Sequence, residues 1–280
     1  MFQLYTQTFG LAREFSFSLP KTLEALQKIG FSGIEPMILL REEQGNIPKN
    51  LWALDTLREA KPLLDQLALR IPSVHLGVAF GWFSMPTGTI VRGIRRLHET
   101  YGIQDFVISG IFSTLAQARH WGSLAGKLAE AVQPDGCRVL YHNHDDEFHP
   151  VRDHGTQVLA MDAFLSRAGK HVGLQLDVGW AALAGDECAW MQRYASRIVS
   201  LHLKDFYPAY RTGYSRKTMP TEAFAPIAEG SVKMQQLLAL CGQLPNFSGT
   251  LIIDQDKAAG DMLTALSTGC RNVQTLLEGV

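Results

Sequence analysis

Long apolar runs are missing from this sequence: nowhere do about 18 apolar residues follow one another, as a bilayer-spanning helix needs. Neither sign of charge is in excess, with 26 Lys and Arg against 27 Asp and Glu and a formal net charge of −1. No overall attraction to nucleic acid or to an anionic membrane follows from that balance. Cysteine is sparse: Cys137, Cys188, Cys241 and Cys270 stand far apart, with no CxxC pair and no zinc-finger spacing. Such scattered thiols suit a cytoplasmic protein. The N-terminus, Met1-Phe2-Gln3-Leu4-Tyr5, lacks the basic segment and apolar core of a signal peptide. A GxGxxG turn is absent, which argues against an open dinucleotide-binding sheet. No repeat, low-complexity tract or Pro/Ser-rich linker divides the chain, so a single domain over residues 1–280 is expected.

What the sequence does hold is 46% hydrophobic residues in a repeating order. Short β-branched or leucine-rich runs of the buried-strand type predict strands at Phe2–Phe9, Gly33–Met37, Ser73–Val78, Asp105–Ser109, Arg138–His144, Val172–Val178, Ile198–Lys204 and Thr250–Asp254. Segments with helical apolar spacing lie between them, including Leu19–Ile29, Leu51–Ala68, Val91–Tyr101, Thr114–Val132 and Met262–Leu277. Lys28-Ile29-Gly30 and Pro134-Asp135-Gly136 carry helix stop signals. Strict alternation of strand and helix predicts an α/β fold, a parallel sheet closed into a (β/α)8 barrel.

Four strands end in groups that bind metals. Tyr141-His142-Asn143-His144-Asp145-Asp146-Glu147-Phe148 ends the fifth, and Leu176-Asp177-Val178-Gly179-Trp180 ends the sixth. Leu201-His202-Leu203-Lys204-Asp205 and Ile253-Asp254-Gln255-Asp256 end the seventh and eighth. Active sites of such barrels lie at the C-terminal ends of the strands, so His142, Asp177, His202 and Asp254 should converge there as a metal site. Two imidazoles and two carboxylates suit Mn²⁺, Zn²⁺, Fe²⁺ or Co²⁺ better than Ca²⁺, and Mg²⁺ prefers more oxygen donors. His144, two residues past His142 and so on the same strand face, is either a catalytic base or a histidine orienting a ligand. Lys204 either stabilises a developing oxyanion or pairs with Asp205 or Asp177. Glu35 and His75, at the ends of the second and third strands, are candidates for hydrogen bonds to a polar substrate, or are surface caps or structural polar groups. Trp180, Trp82, Phe80 and Phe83 either form a flat apolar wall for a substrate or are core or lid residues. In the long Phe206–Ser231 connection, Arg211, Arg216 and Lys217 either recognise a phosphate or belong to a solvated loop.

With YHNHDDEF, LDVGW, HLKD, Glu229-Gly230 and IDQD, the chain resembles the xylose isomerase-like TIM barrels, the sugar phosphate isomerase/epimerase group of the endonuclease IV-like superfamily. The resemblance implies one divalent metal held by a Glu on strand five, an Asp on six, a His on seven and a Glu on eight. Asp177 and His202 match in identity and place. His142 stands for the first Glu and Asp254 for the second, with Glu147 as the alternative strand-five carboxylate if its loop folds back. Ketose 3-epimerases resembling this fold exchange a proton through both Glu ligands, which this set does not reproduce. The YHNH group is similar instead to inosose dehydratases, dehydroshikimate dehydratases and isomerases or lyases of keto-sugars. The implied function is a divalent-metal-dependent isomerase, epimerase or dehydratase of a sugar, keto-sugar or inosose, with no nucleic-acid or membrane partner and with homo-oligomers common. A non-catalytic sugar-binding barrel stays open. So does an endonuclease IV-like repair enzyme, which needs three zinc ions and more ligands than these strand ends offer.

Overall fold

The computed structural model describes residues 2–43, 45, 47–77, 86–110, 112–153 and 155–279; Trp82, Phe80 and Phe83 lie outside the described residues. Its main sheet is parallel and nine-stranded, ordered Ile34–Glu35, Gln3–Gln7, Thr250–Ile253, Ile198–Leu203, Val172–Asp177, Arg138–His142, Asp105–Ser109, Ser73–Leu76, Met37–Ile38. The first and last members are two halves of one expected strand, parted at Pro36, which has no N–H to give to a ladder. One half pairs with Gln3–Gln7 and the other with Ser73–Leu76, so the sheet closes on itself as a TIM barrel. The break is bridged as His75 N donates to Pro36 O (3.0 Å) and Thr8 N to Glu35 O (3.0 Å).

Helices clad the barrel because their apolar stripes match its outer face. In Leu19–Ile29 the side chains of Leu23 and Leu26 are fully buried, each worth about 1.5–3 kcal/mol. Gly30 ends that helix in the left-handed conformation (φ 108°), and Gly136 (φ 79°) caps the turn after Leu115–Val132, as their stop signals predict. None of the described helices is long and apolar enough to cross a membrane.

Inside the barrel, alternation sorts chemistry by height. Val107, Leu140 and Val199 form a small apolar cluster. Toward the C-terminal ends stand Ser109 and His142, each two residues further along, and His202, three residues past Val199 because the register shifts between Ile198 and Ser200. A polar layer therefore rests on an apolar plug.

Three features depart from the expected pattern. Asp177 accepts from Trp180 N (2.8 Å) as the N-cap of a helix Val178–Leu183, so the sixth strand passes straight into helix where LDVGW reads as a strand end. Gly179 permits this, since a Cβ there would lie 2.6 Å from Lys204 Cβ. An antiparallel hairpin, Pro150–Asp153 with Thr156–Leu159, follows the YHNHDDEF segment. The long connection is pinned from within, as Arg211 pairs with the buried Glu187 (2.5 Å) and donates to Ser231 O (2.8 Å). Arg211 is thereby occupied with structure.

Candidate metal centre and cavity

His142, Asp177, His202 and Asp254 arrive from four adjacent strands, with one potential ligand atom from each within 4.8 Å of every other. Register explains the convergence: His202 is paired directly with Asp177, and Asp254 N donates to Leu203 O (2.9 Å). Asn143 locks the fifth strand end to the sixth, accepting from Asp177 N (3.0 Å) and donating to Asp177 O (3.1 Å). All four candidate ligands are buried.

Electrostatics fit these residues to a cation. His142 is held well below the ordinary histidine range, by burial first and then by His202, His75 and His144. Its imidazole is therefore neutral, as a ligand must be. Its buried Nδ1 has no hydrogen-bond partner, which costs about 1–3 kcal/mol, and Asp177 Oδ2 has only the Lys204 ammonium 3.3 Å away. Burial opposes charge on His202 most strongly, yet Glu35 and Asp254 outweigh it and lift its pKa to about 10. His202 Nε2 donates to Glu35 Oε1 (2.9 Å), leaving Nδ1 toward Asp254 Oδ2 (3.0 Å). A carboxylate behind a histidine in this way fixes the ring and leaves the other nitrogen to a metal.

Below pH 10 a cation must displace a proton from His202 to use that nitrogen, so apparent metal affinity should rise about tenfold per pH unit between pH 6 and 8. Calorimetry in buffers of different ionisation enthalpy checks this; uptake without proton release would mean that His202 is not a ligand.

Above the centre lies a cavity of about 340 Å³ whose wall includes His75, His142, His144, Trp180, Lys204 and Asp254. His144 stands at its edge with a 19% exposed side chain, its ring 5.2 Å from that of His142. His75 turns Nε2 to Ser109 Oγ (3.0 Å), and burial above all lowers its pKa to about 4. Trp180 is on the wall, with Lys204 Nζ 4.8 Å from its ring centroid.

Two candidates lie elsewhere. Glu35 is fully buried beneath the cavity, where it accepts from His202, from Gln175 Nε2 (2.6 Å) and from Ser73 Oγ. Its carboxylate is engaged by these three donors and holds the His202 ring. The chain after His144 winds into a short 3-10 turn, Asp146–Phe148, which directs Glu147 to Tyr141 OH (2.6 Å) and His144 N (3.0 Å). Glu147 is thus kept out of the four-residue group and braces His144. Lys204 does not pair with Asp205: alternation sends Asp205 to the far side, where it accepts from the backbone N–H groups of Phe206, Ala228, Gly230 and Val232. A Cβ on Gly230 would collide with that carboxylate, which accounts for the Glu229-Gly230 signature.

Sequence reasoning gave no role to Asp256, Gln175 or Asn143. Asp256 Oδ2 accepts from Lys204 Nζ (2.6 Å), and Gln175 supports Glu35. For Asp256 and Gln175 the usable signal is the period of two, placing each two residues from a ligand and on its face.

A family model described as "Xylose isomerase-like TIM barrel" matches residues 23–266. A sugar phosphate isomerase/epimerase from Parabacteroides distasonis superimposes with a TM-score of 0.74 at 20% identity, covering 98% of this chain and 93% of that one. A xylose isomerase-like TIM barrel protein from Mycobacterium smegmatis, in complex with magnesium, gives 0.69 at 13% identity over 100% and 97%. A probable 3-DHS dehydratase involved in petrobactin synthesis, from Bacillus anthracis, gives 0.66 at 12% identity over 97% and 98%. A comparison with curated proteins returned no match. At such identities the structural likenesses speak for the fold alone, whereas the family model spans most of the sequence: the chain belongs to the xylose isomerase-like TIM barrel family.

Proposed function

We propose that this protein is a divalent-metal-dependent isomerase, epimerase or dehydratase of a sugar, keto-sugar or inosose, working by removal of a proton next to a polarised carbonyl. The observation that carries the reading is the buried His142, Asp177, His202 and Asp254 group beside a cavity that also presents His144. When bound, a divalent cation supplies Lewis-acid polarisation of a carbonyl oxygen. The donor set of nitrogen and oxygen favours Mn²⁺, Zn²⁺, Fe²⁺ or Co²⁺.

His144 takes the carbon-bound proton. Its rivals are engaged: Glu147 by Tyr141 and the His144 N–H, Glu35 by three donors, Asp256 by Lys204. Lys204, locked among carboxylates, orients them and carries no proton to substrate. Trp180 offers its face to the apolar side of a ring. With His144 as the one base assigned, proton return to a neighbouring carbon or loss of a hydroxyl fits better than a two-base 3-epimerisation.

The test is exchange in D₂O. Metal-loaded protein incubated with a panel of keto-sugars and inososes should place deuterium at the carbon next to the carbonyl, and chelation should stop it. Loss of water from a panel member would select the dehydratase branch. Binding without exchange across the panel would overturn the reading in favour of a non-catalytic sugar-binding barrel.

A further inference from the structure

Among the described residues Lys204 is the only buried lysine, 1% exposed. Nζ lies 2.6 Å from Asp256 Oδ2, 2.8 Å from Asp254 Oδ2 and 3.3 Å from Asp177 Oδ2, with the Trp180 ring as a fourth wall. Gly179 admits the lysine stem, since any Cβ there would lie within 2.6 Å of Lys204 Cβ. Two of those carboxylates, Asp177 and Asp254, also belong to the metal group. Asp254 Oδ2 accepts from His202 Nδ1 as well as from Lys204, so one oxygen faces both positions.

That is the layout of a two-metal site, where neighbouring cations share carboxylates, with a lysine at one position. Charge agrees. Asp177, Asp254 and Asp256 bring three negative charges, and one ammonium plus one divalent cation cancel them. We infer that Lys204 is a built-in cation in the place of a second divalent metal, and that removing its ammonium opens a second cation site on Asp177, Asp254 and Asp256. The inference rests on the metal reading above. A lysine ammonium is a compact point charge, suited to such a substitution, and the three oxygens it would vacate form a hard donor set that takes Mn²⁺ or Mg²⁺.

Lys204 thereby holds the centre at one divalent cation, which suffices to polarise a carbonyl.

The experiment counts metal. Wild type, Lys204→Met, Lys204→Gln and the double variant Lys204→Met/Asp256→Asn are stripped, refolded in Mn²⁺ and freed of excess, then examined by elemental analysis and electron paramagnetic resonance. Expected are one Mn²⁺ per chain in wild type, two with a spin-coupled spectrum in both single variants, and one in the double variant. Two ions in wild type, or one ion in a folded single variant, would overturn the inference. No ion in wild type would instead defeat the metal reading itself. Should Lys204→Met fail to fold, Lys204→Gln decides alone, since its amide keeps donors toward the carboxylates.

Discussion

Changing His144 to Gln lowers the rate of deuterium exchange into substrate by about 10²–10⁴-fold, the ordinary contribution of a positioned general base. That is about 3–5 kcal/mol of transition-state stabilisation. Fold and metal content are expected to survive. The His144 side chain is partly exposed, its Nδ1 makes no hydrogen bond, and the nearest carboxylate oxygen, Glu147 Oε1 at 3.8 Å, keeps its bond from Tyr141 OH in the variant. What holds the residue in place is its backbone, whose N–H donates to Glu147 (3.0 Å), and that bond remains in the variant. Stability should therefore change by less than about 1 kcal/mol. KM is expected to stay near its wild-type value, because a base acts on the transition state and not on ground-state binding. An exchange rate within about threefold of wild type, against the range expected of a general base, would move the role elsewhere. His75, the other imidazole on the cavity wall outside the metal group, is then the next residue to replace.

The barrel and the strands that carry the candidate ligands were legible because buried parallel strands read as apolar runs, and the residue ending each run marks the C-terminal face. His142, Asp177, His202 and Asp254 needed nothing more than that to be named together. Legibility ended where the chain left its period. Past His144 a 3-10 turn sets the direction of Glu147, and no two-residue alternation describes such a turn. LDVGW conceals a helix because Asp177 caps the next turn without an intervening loop, a use of the carboxylate that a single sequence does not separate from metal ligation. The split of the second strand at Pro36 follows from a missing N–H and was open to reading; that its halves pair with different neighbours follows only from closure of the ring. Lys204 shows the limit most clearly. Its partner Asp256 lies 52 residues away and is brought to it only by the register of two adjacent strands, whereas Asp205, the nearest carboxylate in sequence, is turned to the other side by alternation.

Glu35 carries the second large effect, and it separates support of the centre from contact with substrate. Burial disfavours its charge most, but His202, His75 and Ser73 together hold the carboxyl below its ordinary range, so it is ionised within the barrel. Replacing Glu35 with Leu leaves His202 Nε2, Gln175 Nε2 and Ser73 Oγ facing an apolar group. Breaking one partner out of a buried charged network costs about 3–5 kcal/mol. For a chain of this length that is a fall of roughly 5–9 °C in the melting temperature of the metal-free protein. Loss of the carboxylate also frees the His202 ring, and changes of this kind behind a metal ligand cost about 10–100-fold in metal affinity. Part of that loss is offset below pH 10, because Glu35 also strengthens the hold of His202 on the proton a metal must displace. Glu35→Gln should be milder on both counts: the amide keeps the shape and one acceptor, but sets an N–H₂ against a donor it cannot satisfy, at about 1–3 kcal/mol. Thermal melts with and without Mn²⁺, together with a metal titration, read all three quantities. If Glu35 instead met substrate hydroxyls, the same variants would raise KM while leaving melting temperature and metal affinity in place. That outcome would return Glu35 to the cavity wall, and a joint loss of stability and metal places it beneath His202.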